Sequence, residues 1–262
     1  MTSTTAATTP GAAPSGPQPL LELVNVEASY GPFRSLFGVS IAVRERSVLA
    51  LLGGNGSGKT TVVRVCCGLL KPTSGHVRYE GQDITGMRAY KMARIGIVHA
   101  PEGRSVFSTL TVEENLALTF RQVFGRGGWR RALGDAYDRF PRLAERRKQL
   151  AGTLSGGEQR MVSLARVLVH EPKLLITDEL SLGLAPIIID EVYETLATIR
   201  DSGTSLLIVE QHVHQALTLA DDVVVMAKGR VTLSGPVSDL GDISETVLPA
   251  VHGETPTGNG AA

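Results

Sequence analysis

The sequence predicts an α/β fold: a parallel β-sheet covered by helices on both faces, an antiparallel β-sheet at one edge, and an inserted helical subdomain. Three observations predict it. Short apolar runs of strand length alternate with helical stretches, which is typical of parallel sheets. The earliest strands have short connections, as antiparallel pairs do. Between about 103 and 170 the pattern changes to helix after helix.

The predicted strands extend from residue 20 to residue 226. They are Leu20–Val26, Gly38–Val43, Ser47–Leu52, His76–Tyr79, Ile95–Ala100, Leu174–Thr177, Ser205–Val209 and Val223–Met226. Within the helical segment, Thr111 is a predicted N-cap because Glu113 and Glu114 follow it in the first turn. Pro141 begins or breaks a further helix.

The two ends of the chain differ in composition from its body. Residues 1–19 are rich in Thr, Ala, Pro, Ser and Gly and carry almost no large apolar side chains. Such a segment cannot offset the entropy cost of ordering, so it predicts a disordered tail. A second disordered tail is expected over 251–262, which leaves one folded domain over 20–250.

Charge and cysteine content exclude several classes of protein. The chain has 262 residues with 26 Lys plus Arg and 26 Asp plus Glu, so net charge gives no argument for nucleic-acid binding. Cys66 and Cys67 are the only cysteines, and they predict apolar packing in a reducing cytoplasm. No apolar run reaches the roughly 18–20 residues that span a bilayer. Another chain would therefore supply any spanning helices.

A glycine-rich loop follows the third predicted strand. Gly53, Gly54, Asn55, Gly56, Ser57, Gly58, Lys59 and Thr60 match the pattern G-x-x-x-x-G-K-[ST] between a strand and a helix. Glycines bring backbone amides close to phosphate oxygens, and the helix points its positive end at the same anion. Lys59 adds a charge on the phosphates, the Thr60 hydroxyl is a predicted Mg²⁺ ligand, and Thr61 can contact phosphate.

Two carboxylates end the apolar strand Leu174–Thr177. Asp178 is placed to hold Mg²⁺, and Glu179 is placed to polarise an attacking water as a general base. Alone, an Asp-Glu pair after a strand is weak evidence, since a loop start explains it as well. Together with the phosphate loop upstream, the pair predicts nucleotide hydrolysis with ATP and Mg²⁺.

The segment Leu154-Ser155-Gly156-Gly157-Glu158 opens a predicted helix over Gly157–Val169. A serine and two glycines at a helix N-terminus form a second anion site. This segment resembles the signature motif of ABC ATPases, and the resemblance covers about 20–236. It implies a P-loop NTPase (RecA-like) core and head-to-tail pairing of two ATPase subunits. Each ATP would then lie between one subunit's phosphate loop and the other's Ser155, Gly156 and Gly157.

The resemblance implies further nucleotide-contacting residues. Tyr30 resembles the aromatic residue that stacks on adenine. Glu102 falls where most ABC ATPases have a Gln that senses the γ-phosphate and Mg²⁺, and Gln211 falls where most have a switch His. His212 is adjacent to that position, but Gln211 is favoured because Glu210 directly follows the strand.

Several segments together resemble one group of ABC ATPases more closely. They are Pro101–Arg104, Ala151–Thr153, Ser181–Pro186, Val209–Gln211, Gly229–Val231 and Ser234–Pro236. The combination is similar to the ATPase subunits of branched-chain amino-acid importers, a group that includes urea and amide importers. It departs from the family at Gly54 and Leu180, where proline is usual.

The resemblance implies partners and a location. The partners are a second ATPase subunit, homologous or identical, transmembrane permease subunits, and indirectly an external solute-binding protein. No nucleic acid is expected, and the location is the cytoplasmic face of the membrane. Nine basic residues between Arg121 and Lys148 form a solvated face, a docking surface or a nucleic-acid contact. An ABC exporter and a soluble ribosome- or DNA-associated ABC ATPase stay open as alternatives.

Overall fold

The computed structural model describes residues 18–101, 106–241, 247, 248 and 251. Its strands form two sheets, one of six strands in the order β10-β9-β3-β8-β7-β6 and one of four in the order β2-β1-β4-β5. The strands are β1 (Leu21–Tyr30), β2 (Phe33–Val43), β3 (Val48–Leu52), β4 (Ser74–Tyr79), β5 (Gln82–Asp83), β6 (Ile97–Ala100), β7 (Leu174–Asp178), β8 (Ser205–Glu210), β9 (Asp222–Ala227) and β10 (Arg230–Pro236).

The six-stranded sheet is parallel except at one edge. β3 pairs in parallel with β8 and β9, and β7 pairs in parallel with β8 and β6. β3, β7 and β8 are buried at every residue, as expected for a sheet covered on both faces. The antiparallel edge strand β10 was not predicted from periodicity, because its residues are alternately exposed and only half-buried.

The four-stranded sheet is antiparallel, as the sequence predicted, with β1 paired to both β2 and β4. β1 and β2 are longer than predicted. Their extra residues, at the end of β1 and the start of β2, include Glu27, Ser29 and Arg34, whose polarity hides the strand pattern. The third predicted strand, β3, belongs to the other sheet.

Besides two short 3₁₀ helices, seven α-helices with defined bounds lie within the described residues. They are α1 (Lys59–Cys66), α2 (Ala89–Arg94), α3 (Val112–Arg139), α4 (Pro141–Glu145), α5 (Gly156–Leu168), α6 (Pro186–Asp201) and α7 (Val213–Leu219). α3, α4 and α5 lie between β6 and β7, where the sequence predicted helix after helix. Among the described residues, no helix is both long and apolar enough to cross a membrane.

The predicted helix signals in this segment are confirmed. Thr111 caps α3: its Oγ1 accepts from Glu114 N (3.2 Å) and its own N donates to Glu114 Oε2 (2.8 Å). Pro141 is the first residue of α4. α3 is not one continuous helix, because Gly125 interrupts it with φ 67° and ψ −162°.

The six-stranded sheet separates two hydrophobic cores. Val48, Ala50 and Leu52 of β3 face the core that includes α3 and α5, whereas Leu49 and Leu51 face the core beneath the four-stranded sheet. Side chains that alternate between two buried faces account for the unbroken apolar runs in the sequence.

The two cysteines are buried in the second core and are not joined by a disulfide. Burial raises the pKa of the Cys66 thiol to about 12, so it is protonated and unreactive near neutral pH. This agrees with the predicted packing role. The predicted tails fall almost wholly outside the described residues, as does the start of the predicted helical insertion.

Candidate functional site

The phosphate-loop motif joins β3 to α1 in the expected order. The first glycine, Gly53, lies so close to its neighbours that an added Cβ would be 2.4 Å from Met226 O and 2.6 Å from Ser57 Oγ. Only glycine fits there without displacing the backbone. The hydroxyl of Ser57 is buried and has no hydrogen-bond partner among the described residues, so it is available to a ligand of the loop.

Lys59 is the first residue of α1, and its side chain lies inside the loop. Nζ donates to Gly53 O (2.7 Å) and Gly54 O (3.2 Å), and it lies 3.4 Å from Glu179 Oε1. The residue is only 4% exposed. A buried ammonium is tolerated because three oxygens surround it, and the loop is thereby held around a positive charge.

The residues around this loop differ in exposure. Thr60 is exposed at the start of α1, whereas Thr61 is buried and its hydroxyl lies 2.8 Å from Ser35 Oγ. Tyr30 is 39% exposed at the end of β1. The guanidinium of Arg64 lies over the Tyr30 ring, 5.7 Å from its centroid, and its Nη1 donates to the phenol oxygen (3.3 Å).

The two carboxylates at the end of β7 are both buried. Asp178 is 4% exposed and Glu179 is 8% exposed. The backbone of Glu179 is left-handed, with φ 47°, which is unfavourable for a residue other than glycine. Its amide donates to Val209 O on β8 (2.9 Å), and its carbonyl accepts from Arg160 Nη2 (3.3 Å). These bonds hold Glu179 at the mouth of the loop.

Gln211 completes this arrangement. Its Nε2 donates to Glu179 Oε1 (2.8 Å), the same oxygen that faces Lys59. His212, the alternative left by the sequence, is exposed and begins α7 as its N-cap residue. The structure therefore brings Gln211, and not His212, to the carboxylate of Glu179.

These side chains line a cavity of about 390 Å³. Its walls come from the phosphate loop, from the loop after β7 and from the end of β8. They are Ser35, Asn55, Gly56, Ser57, Gly58, Lys59, Thr60, Thr61, Glu179, Leu182 and Gln211. Nine of these eleven residues were assigned to the site from the sequence. Ser35 was not, because it lies in no motif, and Leu182 was not, because its segment Ser181–Pro186 served only for the family resemblance.

The signature segment lies on a different element and does not contribute to that cavity wall. Ser155 is an exposed N-cap of α5: its Oγ accepts from Glu158 N (3.3 Å) and its N donates to Glu158 Oε2 (2.8 Å). Gly157 is buried, and a Cβ there would lie 2.1 Å from Ile188 Cγ2. The segment presents an exposed helix N-terminus and is not among the residues that line its own chain's phosphate-loop cavity.

The oxygen donors near the cavity suit Mg²⁺, which prefers hard oxygen ligands and usually takes only one or two from the protein. The Thr60 hydroxyl lines the cavity, and Asp178 is next to Glu179 in the chain. No group of three or more His, Cys, Asp or Glu within the described residues is placed to hold a metal. A metal here would depend on substrate phosphates. The third predicted ligand, Glu102, lies outside the described residues.

Comparisons with known proteins agree on one family. A family model described as ABC transporter matches residues 36–181. The high-affinity branched-chain amino acid transport ATP-binding protein BraG of Pseudomonas aeruginosa is 42% identical over 82% of this chain and 91% of BraG. The probable branched-chain amino acid transport ATP-binding protein LivF of Archaeoglobus fulgidus is 34% identical, over 84% of this chain and 94% of LivF.

A solved structure shows the same fold. The crystal structure of the ADP conformation of MJ1267, an ATP-binding cassette of an ABC transporter, has a TM-score of 0.78 at 26% sequence identity. The match covers 90% of this chain and 98% of that chain. The predicted α/β architecture, a P-loop NTPase core with an antiparallel sheet and a helical region, is thereby confirmed.

Proposed function

Because the chain belongs to the ABC transporter family of ATPases, we propose that it hydrolyses ATP to drive import of branched-chain amino acids. Two relatives named for branched-chain amino acid transport, aligned over more than four fifths of the chain, support this substrate. One observation carries the catalytic part: Lys59, Glu179 and Gln211 form a connected polar group inside the phosphate-loop cavity.

ATP would bind with its phosphates in the loop formed by Gly53 to Gly58. The backbone amides and the α1 N-terminus stabilise the phosphate charge, and Lys59 exchanges its carbonyl partners for phosphate oxygens. The buried hydroxyl of Ser57 is free to donate to the same anion. Tyr30, partly exposed beside the loop, stacks on the adenine.

Mg²⁺ would be held by Thr60 and Asp178, together with Glu102. When bound, the metal neutralises charge on the phosphates. The protein's own part is to place one hydroxyl and one carboxylate at the end of the loop. Because Asp178 ends a fully buried strand, its position is fixed by the sheet.

Glu179 would orient the attacking water as general base, and Gln211 would assist. Catalysis of phosphoryl transfer depends mostly on positioning and electrostatic stabilisation. Glu179 lines the cavity, and the hydrogen bond from Gln211 uses only its Oε1, so Oε2 would accept the proton from water. Lys59 Nζ remains within 3.4 Å of the first oxygen.

ABC ATP-binding subunits pair with each other and work with permeases. We propose the following arrangement for this chain. Ser155, Gly156 and Gly157 complete the site of a second ATPase subunit, homologous or identical. Transmembrane permease subunits bind this pair at the cytoplasmic face of the membrane, and an external solute-binding protein acts indirectly. No nucleic acid is required.

A first test replaces the general base. Glu179→Gln keeps the shape of the side chain but removes its basicity, so ATP hydrolysis is expected to fall about 10²–10⁴-fold while ATP still binds. Phosphate release and binding of a fluorescent ATP analogue measure the two effects. Glu171→Gln is the matched control, because Glu171 is also left-handed (φ 46°) but lies exposed before β7. Equal turnover in both variants would contradict the role of Glu179.

A second test identifies what the protein drives. Glu179→Gln, trapped with ATP in its native host, should co-purify from solubilised membranes with hydrophobic permease chains. Deletion of the gene should abolish uptake of labelled leucine, isoleucine or valine. Recovery of ribosomes or nucleic acid without a membrane protein would contradict transport and leave the ATPase chemistry standing.

A further inference from the structure

Three consecutive residues at the end of β8 each hold the loop that follows β7. The carbonyl of Val209 accepts from the amide of Glu179, and the side chain of Gln211 donates to the Glu179 carboxylate. Between them, Glu210 binds Ser181, two residues beyond Glu179. Val209 and Gln211 contact Glu179 itself, at the start of the loop, whereas Glu210 contacts Ser181, two residues further along the chain.

Both oxygens of the Glu210 carboxylate bind Ser181, and the backbone amide of Gln211 is a further donor to this carboxylate. Oε1 accepts from Ser181 N (3.0 Å), and Oε2 accepts from Ser181 Oγ (2.7 Å). Glu210 is 2% exposed and Ser181 is 1% exposed. Water therefore does not replace either bond, and the two bonds together define both the position and the rotation of the Ser181 backbone.

Burial of a carboxylate costs desolvation free energy, so its presence at this position needs a structural explanation. Burial raises the pKa of Glu210, and the hydrogen bonds from Ser181 oppose that rise. An apolar residue would fill the same space without the desolvation cost. What an apolar residue cannot do is hold the amide and the hydroxyl of a loop residue.

Glu179 needs such support because its backbone conformation is unfavourable. A non-glycine residue with φ 47° persists only where the surroundings impose it. The amide bond to Val209 fixes the residue on one side, and the chain leaves it through Leu180 to Ser181. If Ser181 were released, Glu179 could relax towards an ordinary conformation and carry its carboxylate away from Lys59 and Gln211.

We propose that Glu210 is a positioning residue for ATP hydrolysis, which holds the loop of Glu179 in place through Ser181. This inference rests on the proposed function, since it assigns a role relative to Glu179. Glu210 is not one of the residues that line the cavity, so it is not expected to contact ATP. Its loss therefore acts on the geometry of hydrolysis and leaves the phosphate loop intact.

The test compares Glu210→Ala, Ser181→Ala and the double variant in the full chain. Both single variants should lower kcat for ATP about tenfold or more, because displacement of a catalytic group by about 1 Å has effects of this size. KM for ATP and the affinity for a fluorescent ATP analogue should stay within about twofold. The double variant should be no slower than Glu210→Ala, because both changes remove the same contact.

Two further variants separate positioning from general stability. Glu210→Gln still accepts from Ser181 N and donates to Ser181 Oγ, so it should recover most of kcat. Ser205→Ala is the control: Ser205 is equally buried at the other end of β8, and its hydroxyl accepts from Arg46 N (2.8 Å). Ser205→Ala should keep normal kcat even if thermal unfolding shows that it loses as much stability as Glu210→Ala or Ser181→Ala.

The outcomes test the positioning role of Glu210 separately from the proposed ATPase function. If Ser181→Ala and Glu210→Ala hydrolyse ATP as fast as Ser205→Ala, the positioning role is wrong. A loss of nucleotide affinity equal to the loss of kcat would overturn it too. If Glu210→Ala does not fold, Ser181→Ala alone decides. If the wild type and Glu179→Gln hydrolyse ATP equally, the proposed function itself fails.

Discussion

His99 on β6 is half-buried, and the partial burial of its imidazole lowers the pKa to about 4. Its Nε2 has no hydrogen-bond partner among the described residues, so the neutral ring is the form that the fold accepts. An unfolded histidine has a pKa near 6.5. Between about pH 6.5 and 4 the unfolded chain therefore binds more protons than the folded one, and stability falls as the pH falls.

We expect His99→Phe to weaken this acid dependence. In the wild type, His99 contributes a slope of up to about 1.4 kcal/mol per pH unit to the free energy of unfolding across that range. Phenylalanine fills a similar volume and does not titrate. Urea unfolding at several pH values between 7 and 4 measures the difference. His214→Asn, at an exposed position of α7, is the control; an equal change of slope in both variants would contradict a specific role for His99.

The sequence revealed those site residues whose chemical partners are close to them in the chain. The phosphate loop, Asp178 and Glu179 were predicted because their chemistry is contained in short segments next to a strand. Ser35 and the Glu210–Ser181 contact were not, because they require two elements to meet, at separations of 26 and 29 residues. Gln211 was assigned from its place after a strand, and the structure shows the contact that the assignment needs.

At the scale of elements, two of the four glycines in α3, Gly125 and Gly134, differ in backbone conformation. An added Cβ would meet nothing within 4 Å at Gly125 or at Gly134. Gly125, however, has φ 67° and ψ −162°, a region that L-residues rarely adopt, whereas Gly134 is helical. Space is therefore not the reason that either position is glycine.

We expect Gly125→Ala and Gly134→Ala to change stability in opposite directions. Alanine at Gly125 should cost about 1–3 kcal/mol through backbone strain. Alanine at Gly134 should add about 0.5–1 kcal/mol, because it lowers the entropy cost of forming a helix. Denaturant unfolding of the two variants measures both. Stabilisation by Gly125→Ala would show that α3 passes through this position as a regular helix.

Two helices of the chain begin with the same capping box, and only one of them carries a predicted site residue. Thr111→Ala in α3 and Ser155→Ala in α5 should each lower the free energy of unfolding by about 1 kcal/mol. Only Ser155→Ala should also reduce ATP hydrolysis. Thermal unfolding and phosphate release separate the two effects. An equal loss of hydrolysis in both variants would contradict a role for Ser155 beyond capping.

The elements themselves were predicted well where the pattern is strong. The buried parallel strands read as apolar runs, and the caps of α3 and α5 are local motifs. β10 and the ends of β1 and β2 were missed, because they contain several polar residues and no continuous apolar run. The break at Gly125 was not predicted either, because a glycine within a helical pattern does not state which backbone conformation it adopts.

At the scale of the whole molecule, the two halves of the proposed ATP site lie on different elements of the chain, and the signature segment is not part of the cavity lining. The phosphate-loop cavity contains Lys59, Glu179 and Gln211, while Ser155 lies exposed on α5 and does not line it. A single chain therefore offers one incomplete cavity and one unused helix N-terminus. Head-to-tail pairing of two copies would use each copy's helix to complete the other's cavity, which makes two sites per dimer.

This arrangement predicts complementation between two inactive variants. Lys59→Ala should lose ATP binding at its own loop, and Ser155→Ala should lose its contribution to the partner. Neither is expected to hydrolyse ATP alone. In a mixed dimer both defects fall in the same composite site, so the other site is intact and mixing should restore part of the phosphate release.

Mixing Lys59→Ala with Glu179→Gln should restore less, since each defect then lies in a different site. No recovery in the first mixture would show that two copies of this chain do not pair in this way and that its partner is a distinct ATPase subunit.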